Sequence, residues 1–149
     1  MNLRPQALID TNVLVAALEG RHEHHGPSVA LFDQAPDGTL AVGAHALAET
    51  YSTLTRANGL FRWTPAEAWQ GVASLVKVTR LVALSPAGHL DAVRTFAQAG
   101  GIGPRIYDYL IGEAAVQNGI DRIITWNTSH MRSLFPSVQV NTPTEGDWL

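Results

Sequence analysis

Four polar side chains in this sequence could do metal and phosphate chemistry if the fold brings them together. Asp10 directly follows the apolar run ALI, Glu49 and Asp108 lie in segments with helical spacing, and Asn127 lies in the segment IITWNTSH. Carboxylates held close together repel one another and raise one another's pKa unless a cation neutralises them. Oxygen ligands without any cysteine suit Mg²⁺ or Mn²⁺, which bind through carboxylates and substrate phosphates. Phosphodiester hydrolysis is therefore the chemistry that these residues predict.

The elements that must position these residues alternate between short apolar strands and helices. Helical spacing of apolar residues, with proline at helix starts and glycine or asparagine at helix ends, separates the segments. Strands separated by helices predict an α/β fold: a parallel sheet with helices on both faces and right-handed crossovers. The predicted strands end at Ile9 or lie at 39–44, 80–84, 122–125 and 138–140, and the predicted helices lie at 12–19, 28–35, 44–57, 65–76, 86–99 and 104–118.

This topology gives the four polar residues a common location. In a parallel sheet, the carboxyl ends of the strands and the amino ends of the helices that run back antiparallel to them lie at the same edge. Asp10 and Asn127 follow strands, whereas Glu49 and Asp108 lie in the opening turns of helices. All four side chains are therefore expected at one edge, where open α/β sheets bind their ligands.

Each residue also has a purely structural interpretation. Asp10 could be only a turn or a helix cap, and Glu49 could lie on a solvated helix face, paired with His45 one turn earlier. Asp108 could complement the dipole of its helix, and Asn127 could cap or turn the chain before another helix. Convergence of all four at one edge favours the functional interpretation over these separate explanations.

Composition limits the class of protein. The chain has 149 residues, of which 46% are hydrophobic and 15% charged, which predicts one globular domain spanning 1–149. It contains no cysteine, so thiol redox chemistry and thiolate metal sites are excluded. No signal peptide or transmembrane run is recognised, so we expect a cytoplasmic protein without a membrane partner. A net charge of −3 argues against a strongly basic nucleic-acid binder.

The ordered motifs resemble those of PIN-domain ribonucleases, and more closely those of the VapC-type toxins of bacterial toxin-antitoxin pairs. The resemblance rests on LIDTNVLV, HALAETYSTL, YDYLIGEAA and RIITWNTSHMRSLFP, and it covers nearly the whole chain. It implies a three-layer α/β/α PIN-domain sandwich with about five parallel strands in the order 3-2-1-4-5. Asp10 and Asn127 would then be neighbours, because strands one and four are adjacent in that order.

The resemblance also implies roles for the site residues. Asp10, Glu49 and Asp108 match the acidic positions that hold Mg²⁺ or Mn²⁺, directly or through water. Asn127 departs from the family pattern, because the fourth position is often acidic, and a second metal ion is therefore in doubt. An amide keeps a carbonyl oxygen that can orient water or phosphate but adds no charge. The residues expected to hold the acids in place are Thr11, Asn12 and Thr125, of which the first two could also cap the helix.

The resulting hypothesis is an endoribonuclease. Mg²⁺ bound by Asp10 and Asp108, with help from Glu49, would activate water and stabilise charge during in-line attack on the phosphate. The resemblance implies a 5′-phosphate and a 3′-hydroxyl as products, and a structured RNA such as tRNA or rRNA, cut in a single-stranded loop, as substrate. It further implies a homodimer and a VapB-type antitoxin that covers the acids, and a free protein that stops translation.

Several cations and aromatic residues are candidates for gripping RNA. Arginines supply charge, and tryptophan rings can stack on unpaired bases. Trp69 is instead predicted to lie in the core, in an apolar stripe of its helix, and the HEHH run at 22–25 is interpreted as an exposed loop rather than a metal site. The candidates are Arg105, which is best positioned, and Arg56, Arg62, Arg132, Trp63 and Trp126; His130 could contact phosphate.

Two alternatives remain open from the residues. One is a catalytically degenerate PIN-like domain that binds RNA or a protein without cutting, which Asn127 and the acidic net charge favour and the three retained acids oppose. The other is a phosphotransfer enzyme with Asp10 as nucleophile. A haloacid-dehalogenase-like site would need a second acid where Asn12 stands, and a response regulator would need a phosphoacceptor after its third strand, where VALSPAG supplies none.

Overall fold

The structure, a computed structural model, describes residues 4–56 and 59–145. Five parallel strands form one sheet in the order β3-β2-β1-β4-β5, as predicted. The order places β1 in the centre, with β2 on one side and β4 on the other. The strands are β1 (Ala7–Ile9), β2 (Leu40–Gly43), β3 (Arg80–Val82), β4 (Arg122–Ile124) and β5 (Gln139–Asn141).

Seven helices in the described residues surround the sheet and complete a three-layer α/β/α sandwich. Helix α1 packs on α2 and α3, α3 packs on α4, and α6 packs on α5 and α7. The helices are α1 (Thr11–Leu18), α2 (His25–Gln34), α3 (Ala44–Thr55), α4 (Pro65–Val78), α5 (Pro86–Gln98), α6 (Arg105–Gln117) and α7 (Thr128–Leu134).

The central strands are apolar because both of their faces are covered. Every residue of β1 is fully buried, and all of β2 is buried. A strand covered by helices on both faces has no solvated side, so its sequence is continuously apolar instead of alternating. The consequence for function is that polar side chains near the sheet are confined to the ends of the strands.

The apolar stripe predicted for α4, made of Ala66, Trp69, Val72, Ala73 and Val76, is buried only at Val72. Trp69 is 64% exposed instead of lying in the core. The helix buries Ala68, Val72 and Leu75, the face that packs toward α3. Both the predicted stripe and the buried face have apolar residues three or four positions apart. Periodicity alone therefore does not show which of the two packs against another helix.

The face predicted for α3 is wrong at one position. Helical spacing predicts one face made of Leu47, Thr50, Tyr51 and Leu54. Thr50 and Leu54 are buried, together with Ala46, whereas Tyr51 is 39% exposed. The helix ends at Thr55. The predicted helix stop at Asn58-Gly59 falls partly on 57–58, which lie outside the described residues.

Helix α7 was missing from the predicted order of elements. It spans seven residues, Thr128–Leu134, and buries only Met131. Such a short segment holds fewer than two turns of helix, so its amphipathic pattern is too weak to predict a helix.

In the described part of the chain, no helix combines the length and the apolar character needed to cross a membrane.

Candidate active site

Asp10 lies at the carboxyl end of β1, where it is almost completely buried. Its backbone N–H donates to the carbonyl of Ile124 at 2.9 Å, which keeps it beside β4. Its side chain is at the N-cap of α1, and Oδ1 accepts from the Thr11 backbone N–H at 2.7 Å. Only 4% of the residue is exposed. The structural and functional interpretations of Asp10 are therefore compatible, because one oxygen caps the helix and the carboxyl group faces the edge of the sheet.

A hydroxyl on the neighbouring strand end fixes the other oxygen of Asp10. Thr125 Oγ1 donates to Asp10 Oδ2 at 2.7 Å and accepts from Asn12 Nδ2 and from the Asn127 backbone N–H, both at 3.0 Å. Asn12 Oδ1 in turn accepts from the Trp126 backbone N–H at 3.1 Å. The structure thus brings Asn12 and Thr125 together around the acid.

The expectation that Thr11 and Asn12 cap α1 through their side chains is wrong. Asp10 provides the cap, and the Asn12 amide reaches across to β4. The Thr11 hydroxyl is buried and has no hydrogen-bond partner in the described residues. Sequence alone could not assign the cap, because all three residue types are good N-caps.

Glu49 lies on the second turn of α3 and is half-buried. Its Oε1 lies 3.0 Å from His45 Nε2, the helical pair that the sequence indicated. The two atoms are not aligned for a hydrogen bond, and both are buried without a hydrogen-bond partner in the described residues. Burial raises the pKa of Glu49 to about 7, with further contributions from the negative charges of Asp10 and Asp108.

Asp108 lies in the first turn of α6 and is the most exposed of the three acids. Its Oδ2 is 2.9 Å from His130 Nε2, a residue of α7. His130 is largely buried, with 18% of its side chain exposed, so packing fixes the imidazole that contacts the Asp108 carboxylate. The sequence had offered His130 only as a phosphate contact.

The three acids influence one another electrostatically. Burial raises the pKa of Asp10 to about 6, although the Thr125 hydrogen bond opposes the shift, and Asp108 raises the pKa further. Both Asp10 and Glu49 are therefore costly to ionise in the free protein. A cation near these carboxylates would remove that cost, which is the usual reason for grouping acids in one place.

The three acids have the ligand chemistry that a hard divalent cation requires. Asp10, Glu49 and Asp108 offer oxygen ligands, and the Glu49 Oε1 atom has no hydrogen-bond partner among the described residues. Within 4–56 and 59–145, no group of three or more His, Asp or Glu side chains is placed to hold a metal ion, so the structure does not bring the three acids together as one ligand group. Carboxylates that cannot fill a coordination shell by themselves suit Mg²⁺, which keeps several waters and uses few protein ligands.

Asn127 is connected to Asp10 through Thr125, which accepts from the Asn127 backbone and donates to the acid. It follows β4, occupies the N-cap position of α7, and donates its backbone N–H to Thr125 Oγ1. In the described part of the structure, its side chain makes no capping hydrogen bond. The residue is exposed to solvent.

The predicted RNA-contacting arginines lie in three different parts of the structure. Arg56 follows the last turn of α3, which starts at the carboxyl edge of the sheet and runs away from it. Arg132 donates to the Val140 carbonyl of β5 at 2.9 Å. Arg105, at the start of α6, lines a separate cavity of about 510 Å³ with Phe96 and Tyr109.

Trp126 lies next to the site but is partly covered. The ring of His24 stacks on it with centroids 4.0 Å apart and planes 12° apart, and Trp126 Nε1 donates to Ser28 Oγ at 3.0 Å. His25, the last residue of the HEHH run, starts α2 and contacts the Ala16 carbonyl at 2.8 Å. One face of Trp126 is thus already occupied by the protein itself.

No sequence pattern indicated that Glu19 is buried. Its carboxylate accepts from Arg21 Nε at 2.8 Å and from Trp63 Nε1 at 2.6 Å, and Arg21 also donates to the Phe61 carbonyl at 2.9 Å. Trp63 and Arg21 are therefore tied to the fold by Glu19. A charged residue at the end of a helix is expected to be exposed to solvent. Only its contacts with residues distant in the chain show that Glu19 is buried.

This sheet order, with a fixed acid at the end of β1 and two more acids on flanking helices, defines a class of α/β domains, and sequence comparison agrees. The family model for the PIN domain matches residues 7–132, and the chain belongs to the PIN domain family. The chain is similar to Ribonuclease VapC27 of Mycobacterium tuberculosis, with 31% identity over 116 residues that cover 78% of this chain and 81% of that protein. The predicted resemblance to VapC-type proteins is confirmed.

Solved structures share the fold. One is Mycobacterium tuberculosis VapC20, described as a Sarcin-Ricin loop cleaving toxin, with a TM-score of 0.69 at 19% identity over 89% of this chain and 98% of that one. Another is a toxin-antitoxin complex from Klebsiella pneumoniae, with a TM-score of 0.64 at 18% identity over 94% of this chain and 99% of that one. At these identities the likeness concerns architecture only.

Proposed function

We propose that this chain is a metal-dependent endoribonuclease and the toxin of a toxin-antitoxin pair. The observation that carries the proposal is the buried Asp10 carboxylate, which Thr125 orients at the edge of the sheet near Glu49 and Asp108. The relative named Ribonuclease VapC27 supports the activity. A buried acid with a raised pKa among other acids is a feature of functional sites, since it costs stability.

Each residue of the candidate active site has its own role in the proposed reaction. Asp10, Glu49 and Asp108 would hold Mg²⁺ or Mn²⁺, which supplies charge stabilisation at the phosphate and lowers the pKa of water. Thr125 keeps the Asp10 carboxylate in one orientation, and His130 does the same for Asp108. The Asn127 amide can donate to a phosphate oxygen or accept from the attacking water.

The proposed reaction is hydrolysis. Water loses a proton and adds its oxygen to phosphorus, the bond from phosphorus to the 3′-oxygen breaks, and that oxygen takes up a proton, which leaves a 5′-phosphate and a 3′-hydroxyl. We propose tRNA or rRNA as substrate, cut in a single-stranded loop, so that translation stops. Both RNAs are components of translation in the cytoplasm, where we expect the protein to act.

We propose two protein partners. One is a VapB-type antitoxin, supported by the Klebsiella toxin-antitoxin complex of the same fold and by the acidic edge, which suits an arginine from a partner. The other is a second copy of the chain, supported by the apolar side chains that α5 exposes, with Leu90 74% and Val93 45% exposed. Sedimentation of the wild type and of Leu90→Glu tests the dimer.

The experiment for the activity is cleavage of total RNA by the purified protein with Mg²⁺, Mn²⁺ or EDTA, followed by sequencing of the new ends. We expect discrete cuts that need the metal and that Asp10→Asn abolishes. Asp121→Asn is the matched control, because it removes the same charge from an exposed residue at the amino end of β4. Metal binding without cuts, by a folded protein, would favour the non-cleaving PIN-like alternative.

A further inference from the structure

A cavity of about 290 Å³ opens at the carboxyl ends of β2 and β3. Residues that directly follow β2 form one side, residues that follow β3 and start α5 form another, and α6 forms the third. Its exposed members are Ala44, Ala83 and His89, so the cavity is open to solvent. Its other lining residues include Gly43, His45, Leu84, Leu110 and Ile111.

The cavity is next to the acidic site. Gly43 pairs with Val82 in the sheet, so the segments that follow β2 and β3 leave the sheet side by side at the edge where Asp10 lies. His45 lines the cavity, and its Nε2 atom is 3.0 Å from Glu49 Oε1. His45 therefore lines the cavity and also contacts Glu49, a proposed metal ligand.

The lining has the chemistry of a base pocket. Leu110 and Ile111 supply apolar surface, and two imidazoles, the partly buried His45 and the exposed His89, supply polar atoms. The His45 ring also stacks on Tyr107, with centroids 5.3 Å apart and planes 17° apart, and 47% of Tyr107 is exposed. Proteins hold unpaired RNA bases by stacking on aromatic rings and by hydrogen bonds to the base edges.

We propose that this cavity binds the base of a nucleotide adjacent to the scissile phosphate, with His45 and His89 contacting its edge, and that it sets the nucleotide preference of cleavage. The inference rests on the proposed ribonuclease function and extends it to specificity. The volume is near the lower end of the range for small-molecule pockets, which suits one ring system. An apolar side chain of a protein partner would make no use of the two imidazoles.

The first test measures base binding without catalysis. Each of the four nucleoside 5′-monophosphates is titrated into the metal-free protein while the imidazole C–H signals are followed by NMR. We expect saturable shifts at His45 and His89 that differ among the four bases and are absent with ribose 5-phosphate, which has the sugar and phosphate only. His25, whose ring contacts the Ala16 carbonyl instead, is the internal control.

The second test blocks the cavity and measures cleavage. Ala83 is exposed at the rim, so Ala83→Phe should fold and fill the opening. With Mg²⁺ and a random-sequence single-stranded RNA, we expect kcat/KM to fall about tenfold or more, chiefly through KM, and the nucleotide preference beside the cut to weaken. Ala66→Phe, at an exposed position on α4 outside the cavity, is the matched control and should leave both unchanged.

The outcomes separate this inference from the function on which it rests. Metal-dependent cleavage that is unaffected by Ala83→Phe, together with no base-dependent shifts, overturns the base pocket and leaves a partner's apolar side chain as its occupant. Base-dependent shifts at both histidines support the pocket even if the wild type cuts no RNA. Absence of cleavage by the wild type contradicts only the ribonuclease activity.

Discussion

The Thr125 hydroxyl donates to Asp10 Oδ2 at 2.7 Å and joins residues that are 115 positions apart in the chain. The same hydroxyl accepts two further hydrogen bonds, from Asn12 and from the Asn127 backbone. A fully bonded hydroxyl has no freedom to rotate, so the acid it contacts is held in one orientation. The orientation of Asp10 is therefore set by the end of β4.

Thr125→Val should weaken both the fold and metal binding. The substitution keeps the shape but removes the donor to Asp10, which should cost about 1 to 2 kcal/mol of unfolding free energy. We expect a weaker apparent affinity for Mg²⁺, measured by calorimetry, and a lower midpoint in urea. Thr79→Val is the control, because that hydroxyl bonds the Leu75 carbonyl at 2.7 Å, far from the acids. Wild-type Mg²⁺ affinity in Thr125→Val would contradict the positioning role.

Asp10→Asn should stabilise the metal-free protein increasingly as the pH rises. The folded-state pKa of Asp10 is about 6, whereas an unfolded aspartate has a pKa of about 4, so ionisation costs folding free energy above pH 4. We expect the stability of the variant relative to wild type to grow by about 1 to 2 kcal/mol between pH 5 and pH 8. Urea unfolding at both pH values measures it, and a constant difference would argue against the raised pKa.

Binding of Mg²⁺ should release protons and tighten with pH. Asp10 and Glu49, with pKa values of about 6 and about 7, must be ionised to act as ligands. We expect the apparent affinity to rise about tenfold or more between pH 6 and pH 8. Calorimetry in two buffers of different ionisation enthalpy counts the released protons. An affinity independent of pH would remove both acids from the ligand set.

Glu19→Gln should destabilise the fold at neutral pH but not in strong acid. Hydrogen bonds from Arg21 and, less strongly, from Trp63 lower the pKa of Glu19 to about 2, although burial opposes the shift. The stabilisation is therefore present above the unfolded pKa of about 4.5 and lost as the pH falls toward 2. We expect a loss of about 2 kcal/mol at pH 7 that shrinks below pH 4.

The measurement for Glu19 is thermal unfolding followed by tryptophan fluorescence, since Trp63 is one of its partners. Glu23→Gln is the matched control from the same loop, because its carboxylate is 81% exposed and lies 3.6 Å from His24. Equal effects of the two substitutions at pH 7 would mean that the buried contacts contribute nothing.

Gly112→Ala should disturb the contact between α6 and α7, the helices that carry Asp108 and His130. An added methyl group at Gly112 would overlap the ring of Phe135, which is only 6% exposed. Overpacking of this kind costs about 1 to 3 kcal/mol. We expect a lower unfolding midpoint, and a partial recovery when Phe135→Leu is added to make room. No loss in the single variant would show that Phe135 can move aside.

The sequence alone specified the sheet and the identity of the acids. Proline, glycine and apolar runs mark the elements locally, and continuous apolar strands between helices allow few arrangements other than a covered parallel sheet. The resemblance then supplied the strand order. Because strand ends share one edge, the placement of Asp10 and Asn127 followed from topology, without knowledge of any side-chain contact.

The wrong predictions concern helix faces that the local sequence does not distinguish. Trp69 and Tyr51 lie on helices where two stripes satisfy the same period, and the packing of α3 against α4 decides which stripe is buried. The RNA-contacting roles of Arg56 and Arg132 stay predictions, and the structure adds only their places, Arg56 after the end of α3 and Arg132 bonded to a carbonyl of β5. Each outcome depends on a neighbour distant in sequence.

Sequence by itself determined which residues could do chemistry and at which edge of the sheet they lie, because these depend on residue type and on the alternation of strands and helices. Only the tertiary structure decided how they are held: the Thr125 bond to Asp10, the His130 contact with Asp108 and the cavity beside His45. Those contacts join segments that are distant in the chain. Hydrogen bonds and burial act over a few ångströms in space, and spacing along the sequence does not record that distance.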